Sequence, residues 1–496
     1  MRSIRSYTRI LLLVCAMALV LPAAAYAKSP YTGYIYNSQD DDKPALNGYL
    51  YGDSFDGYDM TSGSFKAPED LFVTPDDTLY VVDSGNNRVV HMDPDTGAVF
   101  TIYGDKEGKG ALNGPKGIFV AKDNSVYVAD TGNKRIVVFK PEGAFDREYG
   151  LPQSELIGTD FNYSPAKLIV DKRGYMFVSN EGSTLGLMQI RPDGSFAGFY
   201  GANHVPFSMT RVIVKLIASK EQRDQLASEK PPEFSNLFQD NEGFIYTTSL
   251  GIRFNQVKRL SAVGVDTLNS GTHRYGDYYM KSVDGEFEHE TIVDVSVSKD
   301  GFITALDQTN GELYQYDKLG NLLFIFGGRG NQNGLFKTAT SVAETSDGAI
   351  YVADRERSRI DRFYPTPFAD KVHEASILYV DGKYNDAMKP WQEVLQMDST
   401  YDMAYTAIGK AYYRQHKYKE AMTYFKLGLN RGGYSDAMFE YRKVYIKAHF
   451  GTIMTIVIIC FILLQVLLRY RRKRKIAKKR SEFLGTVKGG GVSGSH

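Results

Sequence analysis

A chain of 496 residues is longer than one ordinary core and divides into two or three units. Its 59 Lys and Arg nearly balance its 58 Asp and Glu, but residues 1–27 carry three bases and no acid, and residues 469–496 carry ten bases and one acid. The 441 residues between hold 46 basic and 57 acidic side chains, a net of −11, which argues against nucleic acid as the main partner because phosphate neutralisation needs Lys and Arg gathered on one face. Both cysteines, Cys15 and Cys460, lie in apolar runs, so the body holds no disulfide and no Cys-based metal site.

The first 27 residues open with Arg2, Arg5 and Arg9, continue through an apolar run from Ile10 to Leu21 and finish on Ala25-Tyr26-Ala27. That order predicts a signal peptide cleaved before Lys28. Residues 47–52, NGYLYG, read as a strand in which Gly48 and Gly52 frame Tyr49, Leu50 and Tyr51. A thirteen-residue segment then recurs six times without a gap, at 71–83, 118–130, 168–180, 237–249, 295–307 and 342–354. The first copy is LFVTPDDTLYVVD and the last VAETSDGAIYVAD. Each is an apolar triplet, a polar turn rich in Asp, Asn and Gly, and a β-branched and aromatic run, which is a strand, a hairpin turn and a strand. A third strand follows, and glycine-framed stretches at 97–104, 143–150, 194–201 and 320–327 supply a fourth. Six four-stranded units at this period predict a six-bladed β-propeller. The sixth unit has only three strands before Pro365 and Pro367, so residues 47–52 are expected to close it as its outer edge.

These copies resemble the NHL repeat family, whose mark is an apolar triplet, a turn, YVAD and a downstream Asn and Arg. Blades one and two carry the pair as Asn87 with Arg88 and Asn133 with Arg135, whereas blades three to five keep only Asn180, Ser249 and Asp307 at the turn position. The resemblance spans roughly residues 47–365 and implies the propeller fold, but one fold hosts many functions.

Two insertions interrupt the spacing. Residues 207–227 have apolar positions near helical spacing and predict a helix over the propeller. Residues 266–290 form a polar and aromatic loop with His273, Tyr275, Tyr278, Tyr279 and His289, the kind of long loop on a rigid scaffold that carries binding. After Pro367 the period becomes helical. Tyr405, Ile408, Gly409, Tyr412, Ala421 and Phe425 resemble a tetratricopeptide repeat, and a weaker copy 34 residues earlier places Ala387 and Trp391 at matching positions. The expected helical domain covers 368–449. Residues 451–468 are eighteen without a charge, long enough for one transmembrane helix, and the dense basic run after them predicts a cytoplasmic tail by the positive-inside rule. The tail is expected to be disordered from about Ser481 and to touch anionic lipid. The predicted fold class is mainly β: a six-bladed NHL-like propeller, a tetratricopeptide hairpin array and one transmembrane helix.

The residue just before each inner strand should line one mouth of the ring. In order these are Asp70, Gly117, Lys167, Asn236, Asp294 and Ser341. Two carboxylates, an amide and a lysine at one mouth suit a hard cation such as calcium, or sugar hydroxyls; equally, they suit strand-end capping. The loop residues Tyr278 and Tyr279 are the candidate sugar platform. Asp83, Asp130, Asp307 and Asp354 are expected to fold onto turn amides, and Arg88, Arg135 and Arg359 to pair with carboxylates between blades. The sequence is similar in outline to gluconolactonase and regucalcin propellers, which would make Asp70, Asn236 and Asp294 a divalent metal set, although Lys167 at the same mouth would repel the ion. The histidines His91, His204, His273 and His289 occupy unrelated blade positions and form no zinc set. The leading expectation is a non-enzymatic, membrane-anchored, extracytoplasmic binding or scaffold protein of a bacterial surface type. Its helical repeats would dock a membrane partner, its propeller a carbohydrate or envelope ligand, with solute uptake or sensing as the setting. The competing expectation is a lactonase-like hydrolase.

Overall fold

The computed structural model describes residues 29–36, 42–158, 161–201, 232–252, 254–269, 271, 273–276, 282–283, 286–287 and 291–488. The expected signal peptide, the expected helix over 207–227 and both loop tyrosines, Tyr278 and Tyr279, lie outside the described residues. Blade one runs Pro68–Val73, Leu79–Asp83, Arg88–Met92 and Val99–Tyr103, each strand antiparallel to the last. The inner strands of blades two to six are Gly117–Val120, Pro165–Val170, Phe234–Gln239, Ile292–Val297 and Ala339–Glu344. Each inner strand touches the next, and the sixth returns to the first, so the chain forms a six-bladed β-propeller. Every second strand is buried along its whole length, because a blade has a neighbouring blade on both faces and so needs a continuous apolar run. Tyr80, Tyr127, Tyr246 and Tyr351, at one equivalent place in their blades, are all buried there. Blade four has three strands among the described residues, and its outer edge is met by Thr267 N–H on the Arg259 carbonyl at 2.8 Å and Asn269 Nδ2 on the Val257 carbonyl at 3.0 Å.

The N-terminal segment joins two blades. Strands β1 (Tyr34–Tyr36) and β2 (Asp42–Pro44) form a hairpin that extends blade five from four strands to six. Strand β3 (Tyr49–Phe55) then pairs antiparallel with Arg359–Pro365 as the fourth strand of blade six, beginning two residues later than expected and running three further. Arg362 fastens this closure. Its guanidinium donates to both carboxylate oxygens of Asp53, at 3.0 and 2.6 Å, and to Asp95 of blade one at 2.5 Å. The bidentate fork suits Arg and gives the contact a fixed geometry.

Two compact units divide the chain, residues 1–401 and 402–496, so the helical domain expected over 368–449 is split between them. Helices α1 (Pro367–Val380) and α2 (Tyr384–Met397) belong with the propeller. Thr366 caps α1 by accepting from the Ala369 amide, and Pro367 occupies its first position. The packing explains the division: the Phe368 ring meets Phe324 of blade five, the Tyr401 hydroxyl donates to the Leu323 carbonyl at 3.0 Å, and Asp398 accepts from the Leu46 amide at 3.2 Å.

The second unit holds α3 (Asp402–Arg414), α4 (Tyr418–Leu427) and α5 (Arg431–Lys488). Gly409 lets α3 and α4 close up, since a Cβ there would stand 2.9 Å from the Phe425 ring. Helix α5 is one run of 58 residues that contains the uncharged stretch 451–468, and among the described residues it is the one helix long and apolar enough to cross a membrane. It also continues to Lys488, past the expected onset of disorder at Ser481. The run after the apolar stretch has no proline and is rich in Arg and Lys, both good helix formers.

Candidate functional site

The six positions expected just before the inner strands lie within them, Gly117 as the first residue of its strand and Asp70, Lys167, Asn236, Asp294 and Ser341 as the third of theirs. In five blades a β-bulge sits immediately before the candidate, between Pro68 and Asp70, Pro165 and Lys167, Phe234 and Asn236, Ile292 and Asp294, and Ala339 and Ser341. A bulge inserts one residue and re-aims the side chain that follows. In blade two the position is Gly117, where an added Cβ would collide with the Ala166 carbonyl of blade three, so the two backbones approach closely there.

Asp70, Asn236, Asp294 and Ser341 are all buried. Asp70 accepts from the Ile118 amide of blade two at 2.9 Å and from the Ser341 hydroxyl of blade six at 3.1 Å, and forms an ion pair with Lys167 of blade three. Ser341 in turn accepts from the Leu71 amide of blade one at 3.1 Å. One oxygen of Asp294 accepts from the Val342 amide of blade six at 2.7 Å, the other from its own neighbour Val295 at 2.7 Å. Asn236 turns back to the Leu237 amide at 2.5 Å. Burial pushes the Asp294 carboxyl above the usual carboxylate range; Lys167 opposes that rise and the charge of Asp70 adds to it.

One device therefore recurs at three consecutive junctions: a side-chain oxygen on the inner strand of one blade accepts an amide of the inner strand of the next, from five to six, six to one and one to two. Lys167 spans from blade three to Asp70 of blade one, and it also donates to the Glu69 carbonyl at 3.4 Å. The fit for a hard cation is poor, because Lys167 already places a positive charge against the carboxylate that would have to hold the ion. Among the described residues no group of three or more His, Cys, Asp and Glu side chains is arranged to hold a metal.

All four turn aspartates reach the preceding loop. Asp307 accepts there from the Thr291 amide (2.9 Å) and Asp354 from the Lys337 amide (2.9 Å), and both also fold onto their turns as expected, Asp307 accepting from the Thr309 and Asn310 amides and Asp354 from the Arg357 amide. Asp83 and Asp130 accept from the Lys66 amide (2.6 Å) and the Asn113 amide (2.7 Å). Their second oxygen takes the side chains of the turn Asn and Arg: Asn86 and Arg88 in blade one, Asn133 and Arg135 in blade two. The residue equivalent to Asn133 is thus Asn86, not Asn87; Asn87 takes the left-handed conformation that Lys134 takes in blade two. The expected pairing of arginines between blades is also corrected. Arg88 and Arg135 pair with the aspartate five residues earlier, and Arg359 with Asp361 two residues later at 2.8 Å, all within one blade. Burial raises Asp361 to about 6, with Arg359 opposing. Asp361 carried no motif in the sequence, and it lies in a run, Ile360 to Phe363, that is buried throughout.

Of the histidines, His91 stacks on Tyr80 with ring centroids 4.0 Å apart and His273 meets Tyr275 edge-on, so each is held by packing. His204 and His289 lie outside the described residues.

A family model of the NHL repeat matches residues 112–139, the second blade. No curated protein matches the sequence. Among solved structures, the chain is similar to virginiamycin B lyase from Staphylococcus aureus at 11% identity, covering 64% of this chain and 100% of that one, with a TM-score of 0.39. It is similar to a gluconolactonase from Xanthomonas campestris at 14% identity, covering 68% and 95%, with a TM-score of 0.42. It is also similar to Kuenenia stuttgartiensis hydrazine synthase at 11% identity, covering 61% and 96%, with a TM-score of 0.39.

Proposed function

We propose that this is a membrane-anchored scaffold rather than an enzyme: a propeller held outside the cytoplasm as a platform for a carbohydrate, envelope or protein ligand. The helical hairpins, read as tetratricopeptide repeats, dock a membrane partner, and solute uptake or sensing is the setting. One observation carries the reading. The polar groups at the start of the inner strands are committed to one another and to amides of the next blade, with Lys167 supplying the positive charge, so they hold the ring together. The anchor reading is supported by the uncharged stretch 451–468, whose side chains are largely exposed along α5, followed by the basic run.

The full-length protein purified in detergent tests this directly by calorimetric titration with calcium and with zinc, alongside a lactone-hydrolysis assay. The expected result is neither stoichiometric metal binding nor turnover. Stoichiometric metal with lactone turnover abolished by Asp294→Ala would replace the scaffold with the hydrolase. Protease added to intact cells should digest the propeller, and a spared propeller would reverse the orientation.

A further inference from the structure

The second unit carries its charge unevenly. Residues 412–420, which hold the end of α3, its turn and the start of α4, have Arg414, Lys417 and Lys419 against Glu420, with His416 among them. Residues 438–450 of α5 have Arg442, Lys443 and Lys447 against Glu440, with His449. Six bases thus stand against two acids, in a body whose net charge is −11. The other end of the unit shows no excess, since Lys426 and Arg431 are balanced by Asp402 and Asp436.

Packing brings the two basic stretches to one level. A three-residue turn joins α4 to α5, and Ala421, Phe425 and Ala437 share a buried cluster, so the helices run antiparallel with Ala421 beside Ala437. Tyr418, three residues before Ala421, then lies level with Glu440, and the turn before it lies nearer the uncharged stretch 451–468. At 1.5 Å per residue, Glu440 stands roughly 16 Å before Gly451. A spanning helix needs about 20 residues and headgroups add about 5–8 Å beyond the hydrocarbon, so long Lys and Arg side chains at this level reach the bilayer surface. Lys417, Lys419, Arg442, Lys443 and Lys447 are all exposed. Tyrosines accompany them, as at a membrane interface: Tyr413 meets Tyr418 edge-on at 5.5 Å, and Tyr445 stacks on His449 at 4.3 Å. The cations also spread around α5, with Arg442 and Lys443 about 100° apart and Lys447 about 40° further on. That spread suits a surface lying across the helix axis, as a bilayer does, and not a partner helix lying along it.

We propose that the α3–α4 turn and residues 440–450 of α5 form a membrane-facing surface that binds the anionic headgroups of the leaflet by which α5 enters the bilayer. The proposal rests on the reading of α5 as the anchor, and it concerns the opposite end of the uncharged stretch from the basic run at 469–480. Lys443 is partly neutralised by Glu440 at 2.8 Å, so Lys417 and Lys419 are the cations to test.

The full-length protein, reconstituted into nanodiscs of phosphatidylcholine alone and of an equimolar mixture with phosphatidylglycerol, supplies the test. Hydrogen exchange over 412–420 should slow about fivefold in the anionic discs, the effect of one cation near a charged surface. The difference should vanish in 1 M salt, where the Debye length is about 3 Å, and in the double variant Lys417→Glu, Lys419→Glu. Leu79–Asp83 of blade one should exchange alike in both discs. Equal exchange over 412–420 in the two lipids, or a difference that survives in the double variant or extends to blade one, would overturn the surface. Exchange over 451–468 unprotected in both discs would remove the anchor itself, and the surface with it. The lipid comparison needs no variant, so it decides the matter even if the substituted protein fails to fold.

Discussion

Blades five, six, one and two are joined differently from blades three and four. Around the first group, each junction carries a side-chain oxygen from one blade on an inner-strand amide of the next: Asp294 on Val342, Ser341 on Leu71 and Asp70 on Ile118. At blade four the same position is Asn236, which bonds its own neighbour Leu237. The turns repeat the contrast. Asp83 and Asp130 each hold a backbone amide, an Asn and an Arg, whereas in blade three the equivalent Asn180 accepts weakly from the Ser164 amide at 3.3 Å and its buried Nδ2 has no partner. A ring of six similar sheets is therefore not uniformly closed. The firm half is the one where the two ends of the propeller sequence meet, at the seam that β3 and Arg362 also secure. That seam lies within blade six, where Arg359–Pro365 and β3 come from opposite ends of the propeller sequence and only their pairing joins them.

The largest break in this contrast should come from Asp70→Ala. It frees the Ile118 amide and leaves Lys167 as a buried charge without its carboxylate, and breaking such a pair costs about 3–5 kcal/mol. Urea unfolding of the detergent-solubilised protein should show a loss of that order, and a loss under about 1 kcal/mol would mean that the axis is not structural. Next in size is the pair Asp130→Ala and Asn180→Ala. The first removes three bonds, one of them to Arg135, and should cost about 2–3 kcal/mol; the second removes one long bond and should cost under about 1 kcal/mol. Equal costs would erase the distinction between blades.

Acidity should widen the contrast and alkali narrow it. Asp361 and Asp294 both belong to the firm half, and burial raises both, Asp361 to about 6. A carboxyl raised on folding contributes stability that is complete below its unfolded value, near about 3.9, and lost as pH rises through the folded value. Unfolding free energy should therefore fall between pH 4 and pH 7, on the order of 2 kcal/mol for Asp361 alone. The Asp361→Asn variant should flatten that slope; an unchanged slope would remove Asp361 from the account.

The fold was legible in the sequence because period-two strands and Asp/Gly turns recur in phase, so counting six copies also placed all six axial residues at the right ends of their strands. What those residues touch was not legible. Asp70, Asp294 and Ser341 are acceptors that would serve a metal or a backbone amide equally well, and only the ring geometry, with a bulge ahead of each, decides which amide they meet. The same limit explains Asn87 against Asn86: two adjacent asparagines fit the motif by eye, and the left-handed backbone at the second separates them. Docking of α1 on blade five, where His373 meets the Gln315 side chain at 2.6 Å, was invisible for a related reason, since polar residues in a helix and a strand carry no sign of being buried against each other.

The smallest predicted effect explains why blade four lacks the clasp. For Asn236 to clasp blade five it would need the Val295 amide, by analogy with Asp294 and Val342. That amide is already taken by the second oxygen of Asp294 at 2.7 Å. Asn236→Ala should then cost only the bond to Leu237, about 1 kcal/mol, and leave exchange at Val295 unchanged. Asp294→Asn in addition should weaken the acceptor that competes for Val295, and exchange at both Val295 and Val342 should rise together. If Asn236→Ala alone accelerated exchange at Val295, the amide would be shared between the two blades, and the boundary between the firm and the loose half would move one junction toward blade three.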